Sequence, residues 1–422
     1  MSQQTNKQES TEMLNGNGRI PTHALVIGSS IAGLTAAKAL ASHLDRVTII
    51  DRDESACAET FRRGVPQARH AHTLMPQGQE VLEQHFPGIM AELVSSGAVS
   101  VDVEKEVAFF HDGAWRTPQP KDRPPSLSCS RPLLENAIYR RVTALPNVAL
   151  LRGYRATGLV TDNSARWVTG VQLRSGRGAA GQEWVEPAHL VVDASGRQSQ
   201  APDWLAALKL MPPEEWRINA FVGYATRIYQ QPAHLAEAWK RLYVRPTPPD
   251  ETRGGILLPE ENGRWVVTLV GIAGDYPPTD EAGFLAFARS LPTPRFYEAI
   301  KDATPLTEPF GFRRTENRVR LYDKLPRYLE GFLVTGDAVF ALNPVYAQGM
   351  TAALIGSHVL DKSLKRFADK LAVGEVTGLA AAFQKELRQA LDGLWTMSTH
   401  KDWHWPMTEV TDNAETLTPG GR

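Results

Sequence analysis

The sequence predicts an α/β fold in which a parallel, nucleotide-binding sheet is interrupted by an inserted antiparallel sheet, and three observations predict it. Residues 22–51 read as one strand, turn, helix, strand unit built around GSSIAG at Gly28–Gly33. Two further apolar strands, Leu190–Asp193 (LVVD) and Phe332–Thr335 (FLVT), each run into a polar turn, DASGR and GDA. Between Ala201 and Glu330 the texture changes to alternating, aromatic-rich segments separated by turn signals.

Each element has its own reason. HALVI at His23–Ile27 is a continuous apolar run, as a strand buried on both faces requires. Ile31–Leu44 then carries alanines and leucines at helical spacing, and VTII at Val47–Ile50 is a second buried strand ending at Asp51. The unit has the roughly 30-residue length of a Rossmann-like βαβ motif. After Ser130, RPLLENAIYRRVTAL reads as a helix stopped by Pro146. Ile218–Tyr229 and Trp265–Ile272 suit strands of the antiparallel sheet, the second entered through the turn Glu261–Arg264, and Asp361–Met407 reads as mostly helical. The expected nucleotide domain is therefore discontinuous, over 20–75, 125–200 and 331–360. A second domain spans 76–124 and 201–330, helices follow over 361–407, and 1–19 and 408–422 read as disordered polar tails.

Bulk composition narrows the function. With 422 residues, 22% charged, and a formal net charge of -1, the chain has the length of an enzyme and lacks the basic excess that nucleic-acid binding normally needs. Cys57 and Cys129 have neither metal-ligand spacing nor a disulfide framework, which suits a reducing cytoplasm. No apolar run approaches the roughly 20 residues of a membrane span, so a soluble cytoplasmic protein is expected. His70 and His72 have no third ligand at useful spacing, so no metal is expected.

The glycine turn is the first chemical signal. In such a turn one glycine permits the tight bend, another lets backbone approach a pyrophosphate, and a third lets the helix pack closely. Here Gly28 and Gly33 hold the outer positions and Ser30 replaces the middle one. Ser29, Ser30, Ile31 and Ala32 would bring helix N-terminal donors to the ligand, and Asp51, beside Arg52, stands where an acid accepts ribose hydroxyls.

Four stretches together resemble a known family: GSSIAGL, RRGVPQARHAHTLMPQG from Arg62, VVDASGRQS from Val191, and GDAVFALNPVYAQGM from Gly336. The chain resembles FAD-dependent monooxygenases of the aromatic-hydroxylase superfamily, particularly the natural-product epoxidases and hydroxylases of the polyether type. The likeness runs over nearly all of residues 22–360. It implies a glutathione-reductase-type FAD domain with an inserted antiparallel substrate sheet. By the same resemblance Asp337, after Gly336, would hydrogen-bond the ribityl chain, and Pro344, Gln348, Gly349 and Met350 would meet the pyrimidine edge of the ring. Arg131 would reach FAD from the start of its helix, Arg63 and His70 would run along the flavin, and Asp193 would belong to the middle cofactor motif. Relatives that use NADPH directly usually carry Asp-Gly where this chain has Ser195-Gly196. NADPH or NADH is thus the expected electron source, directly or through a separate flavin reductase.

The resemblance implies insertion of one oxygen atom from O2 through a flavin hydroperoxide, chemistry that needs water excluded more than it needs catalytic side chains. No acid or base is singled out. Phe221, Tyr224 and Tyr229 are candidates for the pocket wall, although alternating strand aromatics also suit plain core. The scarcity of charge there favours a bulky apolar substrate such as a polyene, terpenoid or aromatic polyketide. Other readings of the same motifs are an FAD-dependent dehydrogenase or prenyl reductase, and a non-catalytic flavin-binding protein. Trp403-His404-Trp405-Pro406 resembles a halogenase signature, but its spacing and C-terminal position differ.

Overall fold

The computed structural model describes residues 22–54, 61–62, 64–116, 125–176, 182–233 and 238–411. Its centre is a parallel sheet of five strands in the order Phe332–Val334, Leu190–Asp193, His23–Ile27, Arg46–Asp51, Val148–Arg152. The first strand is central: Ala24–Ile27 are apolar, His23 is hydrogen-bonded to the Pro187 carbonyl and Thr48, and all five residues are buried. Helices Ile31–Ala41, Arg131–Thr143 and Gly349–Arg366 share one continuous hydrophobic core with this sheet.

The turn leaving the first strand depends on two glycines. Gly28 has φ +104°, a conformation that side-chain-bearing residues rarely adopt, and a Cβ there would lie 2.7 Å from the Ala194 carbonyl oxygen. A Cβ on Gly33 would lie 1.8 Å from the Gly28 carbonyl oxygen. The helix therefore rests directly on the turn, and its N-terminus is aimed by that contact.

A seven-stranded sheet forms the second layer, in the order Phe310–Phe312, Gly223–Gln230, Arg264–Gly271, Arg253–Glu260, Arg241–Val244, Val107–His111, Ala114–Arg116. Its pairs are antiparallel except for Arg241–Val244 with Val107–His111. One face, carrying Ala225, Tyr229, Val267 and Leu269, packs on Phe284, Phe287 and Phe296 of two short helices. Tyr224, Thr226 and Thr268 occupy the opposite face, because strand side chains alternate.

The structure divides Ile218–Tyr229, which the sequence presents as one strand. Glu215–Asn219 belongs to a separate four-stranded sheet with Asn317–Arg320, Phe340–Ala341 and Glu409–Val410. Phe221, at φ +50°, turns the chain between the two sheets, and Gly223–Gln230 starts afresh. Hydrophobic alternation does not register such a break, since both halves are apolar.

The C-terminal helix Leu379–Trp403 buries Leu379, Phe383, Leu387, Leu391 and Trp395 at helical spacing against the parallel-sheet core. Trp395 sits edge-on to Phe340 at 6.4 Å. Trp405 packs with Tyr224 and Val222, whereas Trp403 is 41% exposed. These tryptophans are thus divided between core and surface. Among the described residues no helix is long and apolar enough to cross a membrane.

Gly33→Ala should lower the unfolding free energy by about 2 kcal/mol or more, because the added methyl meets backbone that cannot yield independently. Urea unfolding monitored by tryptophan fluorescence would read the loss, and unchanged stability would contradict the packing described.

Candidate functional site

The parallel sheet's C-terminal edge and the inner face of the seven-stranded sheet enclose a cleft of about 500 Å³. Gly28, Ser29, Ser30, Ile31 and Ala32 form one wall, and Asp337, Pro344, Gly349 and Met350 form another. Helices Ile31–Ala41 and Gly349–Arg366 both begin here. Neither has a side-chain cap, and their first intrahelical acceptors are Ser30 and Gln348, bonded to Leu34 and Ala352. The preceding amides of both helices lack an intrahelical acceptor, so two positive helix ends converge on one cavity. That arrangement suits an elongated anionic ligand, with a phosphate at one end and electron density to stabilise at the other.

A buried ionic cluster locks the first wall. Asp51 Oδ2 accepts from the Ser29 amide at 3.1 Å, from the Ser29 hydroxyl, and from Arg62 at 3.0 Å, while Oδ1 accepts from the Asp53 amide at 2.8 Å. Arg62 also pairs with Glu135, whose other oxygen accepts from Arg131 Nε at 3.1 Å and from the Ser30 hydroxyl at 3.1 Å. Arg131 closes the ring by donating to Ser30 Oγ at 3.0 Å. Burial opposes the charge on Glu135, but Arg131 and Arg62 hold its carboxyl below the usual range. The serine in place of the middle glycine is therefore a member of this network. Asp51 lines the cleft with most of its acceptor capacity already used, which limits what remains for a ribose hydroxyl.

Arg52, His70, Arg131 and Tyr224 also line the cleft. Asp337 is half-buried there; burial pushes its carboxyl up, while Arg197, with Nε at 3.8 Å, opposes the shift together with Arg131 and Arg318. Gly33, Gly336 and Gln348 lie behind the wall: Gly33 bears on Gly28, and a Cβ on Gly336 would lie 2.7 Å from the Ala32 Cβ. Arg63 lies outside the described residues.

Three expected site residues are elsewhere. Asp193 is fully buried, accepting from the Ser195 amide at 2.9 Å and the Ser199 hydroxyl at 2.5 Å, so it shapes the DASGR turn from within. Tyr229 is an odd number of residues from Tyr224, which places it on the far face in the core with Phe284 and Phe296. Phe221 occupies the crossover between sheets and does not reach the cleft.

Two histidines approach the cavity from the segment after Arg62. His72 Nδ1 lies 2.8 Å from the His70 carbonyl, which only accepts, so Nδ1 is the protonated nitrogen. Burial, with Arg131 adding to it, lowers the His72 imidazole to about 3. His70 Nδ1 lies 2.7 Å from Thr226 Oγ1, and burial with a contribution from Arg69 lowers it to about 4. Both imidazoles are neutral at physiological pH.

With this geometry in place, known proteins can be compared. Protein Rv3254 of Mycobacterium tuberculosis is 33% identical over 356 residues, covering 82% of this chain and 74% of that protein. The chain belongs to the family of Protein Rv3254. No protein-family model matches it. Among solved structures, PqsL of Pseudomonas aeruginosa, a probable FAD-dependent monooxygenase, is 18% identical with TM-score 0.66, covering 90% of this chain and 96% of that one. The myxobacterial chondrochloren halogenase CndH, a FAD-dependent halogenase, is 16% identical with TM-score 0.66, covering 89% and 82%. These likenesses establish the fold of this Rv3254 relative: mixed α/β, with a parallel sheet and antiparallel sheets, as the sequence predicts.

Sequence reasoning missed Arg62 and Glu135 as the pair that ties the glycine turn to the Arg131 helix. The Glu135 signal was legible as an acid one helical turn after Arg131. It also missed Tyr154, Arg155 and Ala156 near Asp51, and Ile256 and Phe312 on the sheet wall, which nothing local distinguishes.

Behind the second wall stands Asp402, fully buried on the C-terminal helix. Its carboxylate accepts from Asn317 Nδ2 at 2.7 Å, Asn343 Nδ2 at 2.9 Å and the Tyr346 hydroxyl at 2.6 Å. Asn343 Oδ1 in turn accepts from the Val345 amide at 3.1 Å. The loop that leads to the Gly349 helix, including Ala347 at φ +54°, is thereby pinned.

Burial raises Asp402 to about 6, against the opposing hydrogen bonds from Tyr346, Asn343 and Asn317. With a folded pKa above the unfolded value near 4, the folded state binds more protons across pH 4–6, so this group's contribution falls as pH rises through that window. Relative to Asp402→Asn, wild type should lose roughly 2 kcal/mol between pH 4 and 7. Parallel denaturation curves at both pH values check this, and a constant difference would contradict the buried titration.

Proposed function

We propose that this chain is an FAD-dependent monooxygenase that inserts one oxygen atom from O2 into a bulky apolar natural-product precursor by epoxidation or hydroxylation. The observation carrying this reading is the convergence of two uncapped helix N-termini on one cleft whose far wall is an apolar sheet face. The fold of PqsL and CndH supports it, as do the residues that the FAD-monooxygenase resemblance places in the cofactor site and that line this cleft: Gly28, Arg131, Asp337 and Gly349 among them.

When bound and reduced, FAD would supply two electrons to O2, so that one oxygen enters the substrate and the other leaves as water. NADPH or NADH is the proposed source of those electrons, directly or through a separate flavin reductase, in the cytoplasm. The residues' work is binding and exclusion. The amides at Ile31 and Ala32, with Arg131 behind Ser30, would face the pyrophosphate. Asp337 would accept from the ribityl hydroxyls. The amides of Gly349 and Met350 would place positive potential at the ring's pyrimidine edge. Tyr224, Phe312 and Ile256 would exclude water from the substrate side. No side chain is assigned as a proton donor or base.

A dehydrogenase on the same fold remains the competing chemistry, since a Cytophaga hutchinsonii flavoprotein/dehydrogenase also aligns, with 18% identity and TM-score 0.64 over 90% of this chain and 85% of that one. Oxygen separates the two. Incubation of FAD-loaded protein with a reductant and candidate olefins or arenes under 18O2 should yield product carrying one labelled atom; unlabelled product would favour the dehydrogenase. Asp337→Ala should weaken FAD binding at least about tenfold, the scale of a lost hydrogen bond to a charged group. Equilibrium titration with FAD reads this, and undiminished affinity would remove Asp337 from the site.

A further inference from the structure

Where the inner face of the seven-stranded sheet meets the cleft, a polar line runs among Tyr224, Ile256 and Phe312. Thr226 and Thr268 are directly paired across neighbouring strands, with Ile256 continuing the row, and both threonines are buried. Their hydroxyl oxygens lie 2.7 Å apart. His70 lies over them, its ring 5.3 Å from Phe312 and 6.0 Å from Tyr224. His70 is buried, with 7% of the residue exposed, and it lines the cleft.

The protons on this line can be assigned. Thr268 Oγ1 accepts from the Ala71 amide at 3.1 Å. If Thr268 donates to Thr226, and Thr226 donates to His70 Nδ1, every hydroxyl proton has an acceptor. If the direction is reversed, the Thr268 proton has no acceptor among the described residues and must find one in the cleft, which Thr268 also lines. The first direction satisfies both hydroxyls within the protein, and in it neutral His70 carries its proton on Nε2. Nε2 has no protein hydrogen-bond partner among the described residues, and it is not among the fully enclosed unpartnered atoms. It opens to the cleft.

We propose that His70 is a specificity-determining residue whose Nε2–H donates to an oxygen acceptor, a ketone or phenol-type oxygen, on an otherwise apolar substrate held against the sheet. This rests on the reading of the cleft as a flavin site with its substrate on the sheet side, and it moves His70 from cofactor contact to substrate contact. Two features favour the substrate side. His70 is anchored wholly to sheet residues, whereas His72 adjoins Arg131 and Met350, on the side of the two helix ends. His70 also presents a donor, while His72, protonated on Nδ1, presents an acceptor. The neutrality of His70 fits a neutral oxygen acceptor better than a carboxylate, which a charged donor would recognise more strongly.

The test uses FAD-loaded protein and two matched probes, 9-fluorenone and fluorene, which differ in a single carbonyl. Wild type should bind fluorenone about tenfold more tightly than fluorene, the worth of one buried neutral hydrogen bond. His70→Phe should abolish that ratio and leave FAD affinity unchanged, and His70→Gln, which retains an N–H donor, should restore part of it. Thr226→Val, which removes the hydroxyl that donates to Nδ1 and so frees the ring to carry its proton there, should also shrink the ratio. Equal affinity of wild type for the two probes, or failure of FAD-loaded wild type to bind fluorenone at its solubility limit, overturns the proposal. So does a fall in FAD affinity in His70→Phe with the probe ratio intact, which would make the residue a cofactor ligand. Protein that does not take up FAD at all would instead refute the flavin reading itself.

Discussion

The contact of Gly33 with the Gly28 carbonyl is the constraint on which the site depends. No side chain fits between the glycine turn and the helix that follows, so the helix packs directly on the turn and its axis is set against the parallel sheet by that contact. Fixing that axis aims its unsatisfied amides into the cleft. The second helix end, at Gly349, reaches the same cavity from more than 300 residues further along the chain. It is held by a different device, the buried Asp402 carboxylate and its three donors.

The two devices differ in physical character. The glycine contact is steric and insensitive to solvent. The ring of Asp51, Arg62, Glu135 and Arg131 is ionic and buried, so its value lies in mutual satisfaction: removing one member leaves an uncompensated charge, a loss of about 3–5 kcal/mol for a buried pair. Such a ring specifies geometry more than it stabilises the fold. It ties four separate segments, the glycine turn, the end of strand Arg46–Asp51, the stretch carrying Arg62 and the Arg131 helix, to one arrangement of donors. Ser30 belongs to it, which explains why the position that is commonly glycine carries a hydroxyl here.

The cleft's two ends are correspondingly different. Around the glycine turn, donors and charges are dense. On the sheet wall a buried polar line, Thr226, Thr268 and His70, is set among Tyr224, Phe312 and Ile256. A ligand spanning the cleft meets electrostatic recognition at one end and shape with a single directed N–H at the other. That gradient suits chemistry in which a charged cofactor must be brought against an apolar partner with water kept out.

Sequence alone determined the parallel-sheet elements closely: HALVI, LVVD and FLVT are strands within a residue of where their apolar runs end, and the helix after Ser130 begins at Arg131. These features are local, because a buried strand must be apolar and a turn at φ +104° calls for glycine. Tertiary structure decided what depends on facing and partnership. It placed Tyr224 on the cleft and Tyr229 in the core, turned Asp193 inward to Ser195 and Ser199, split Ile218–Tyr229 between two sheets, and gave Arg62 the carboxylates of Asp51, Asp53 and Glu135. Periodicity shows that residues alternate, but which face meets the ligand and which acid meets an arginine are set by segments distant in the chain.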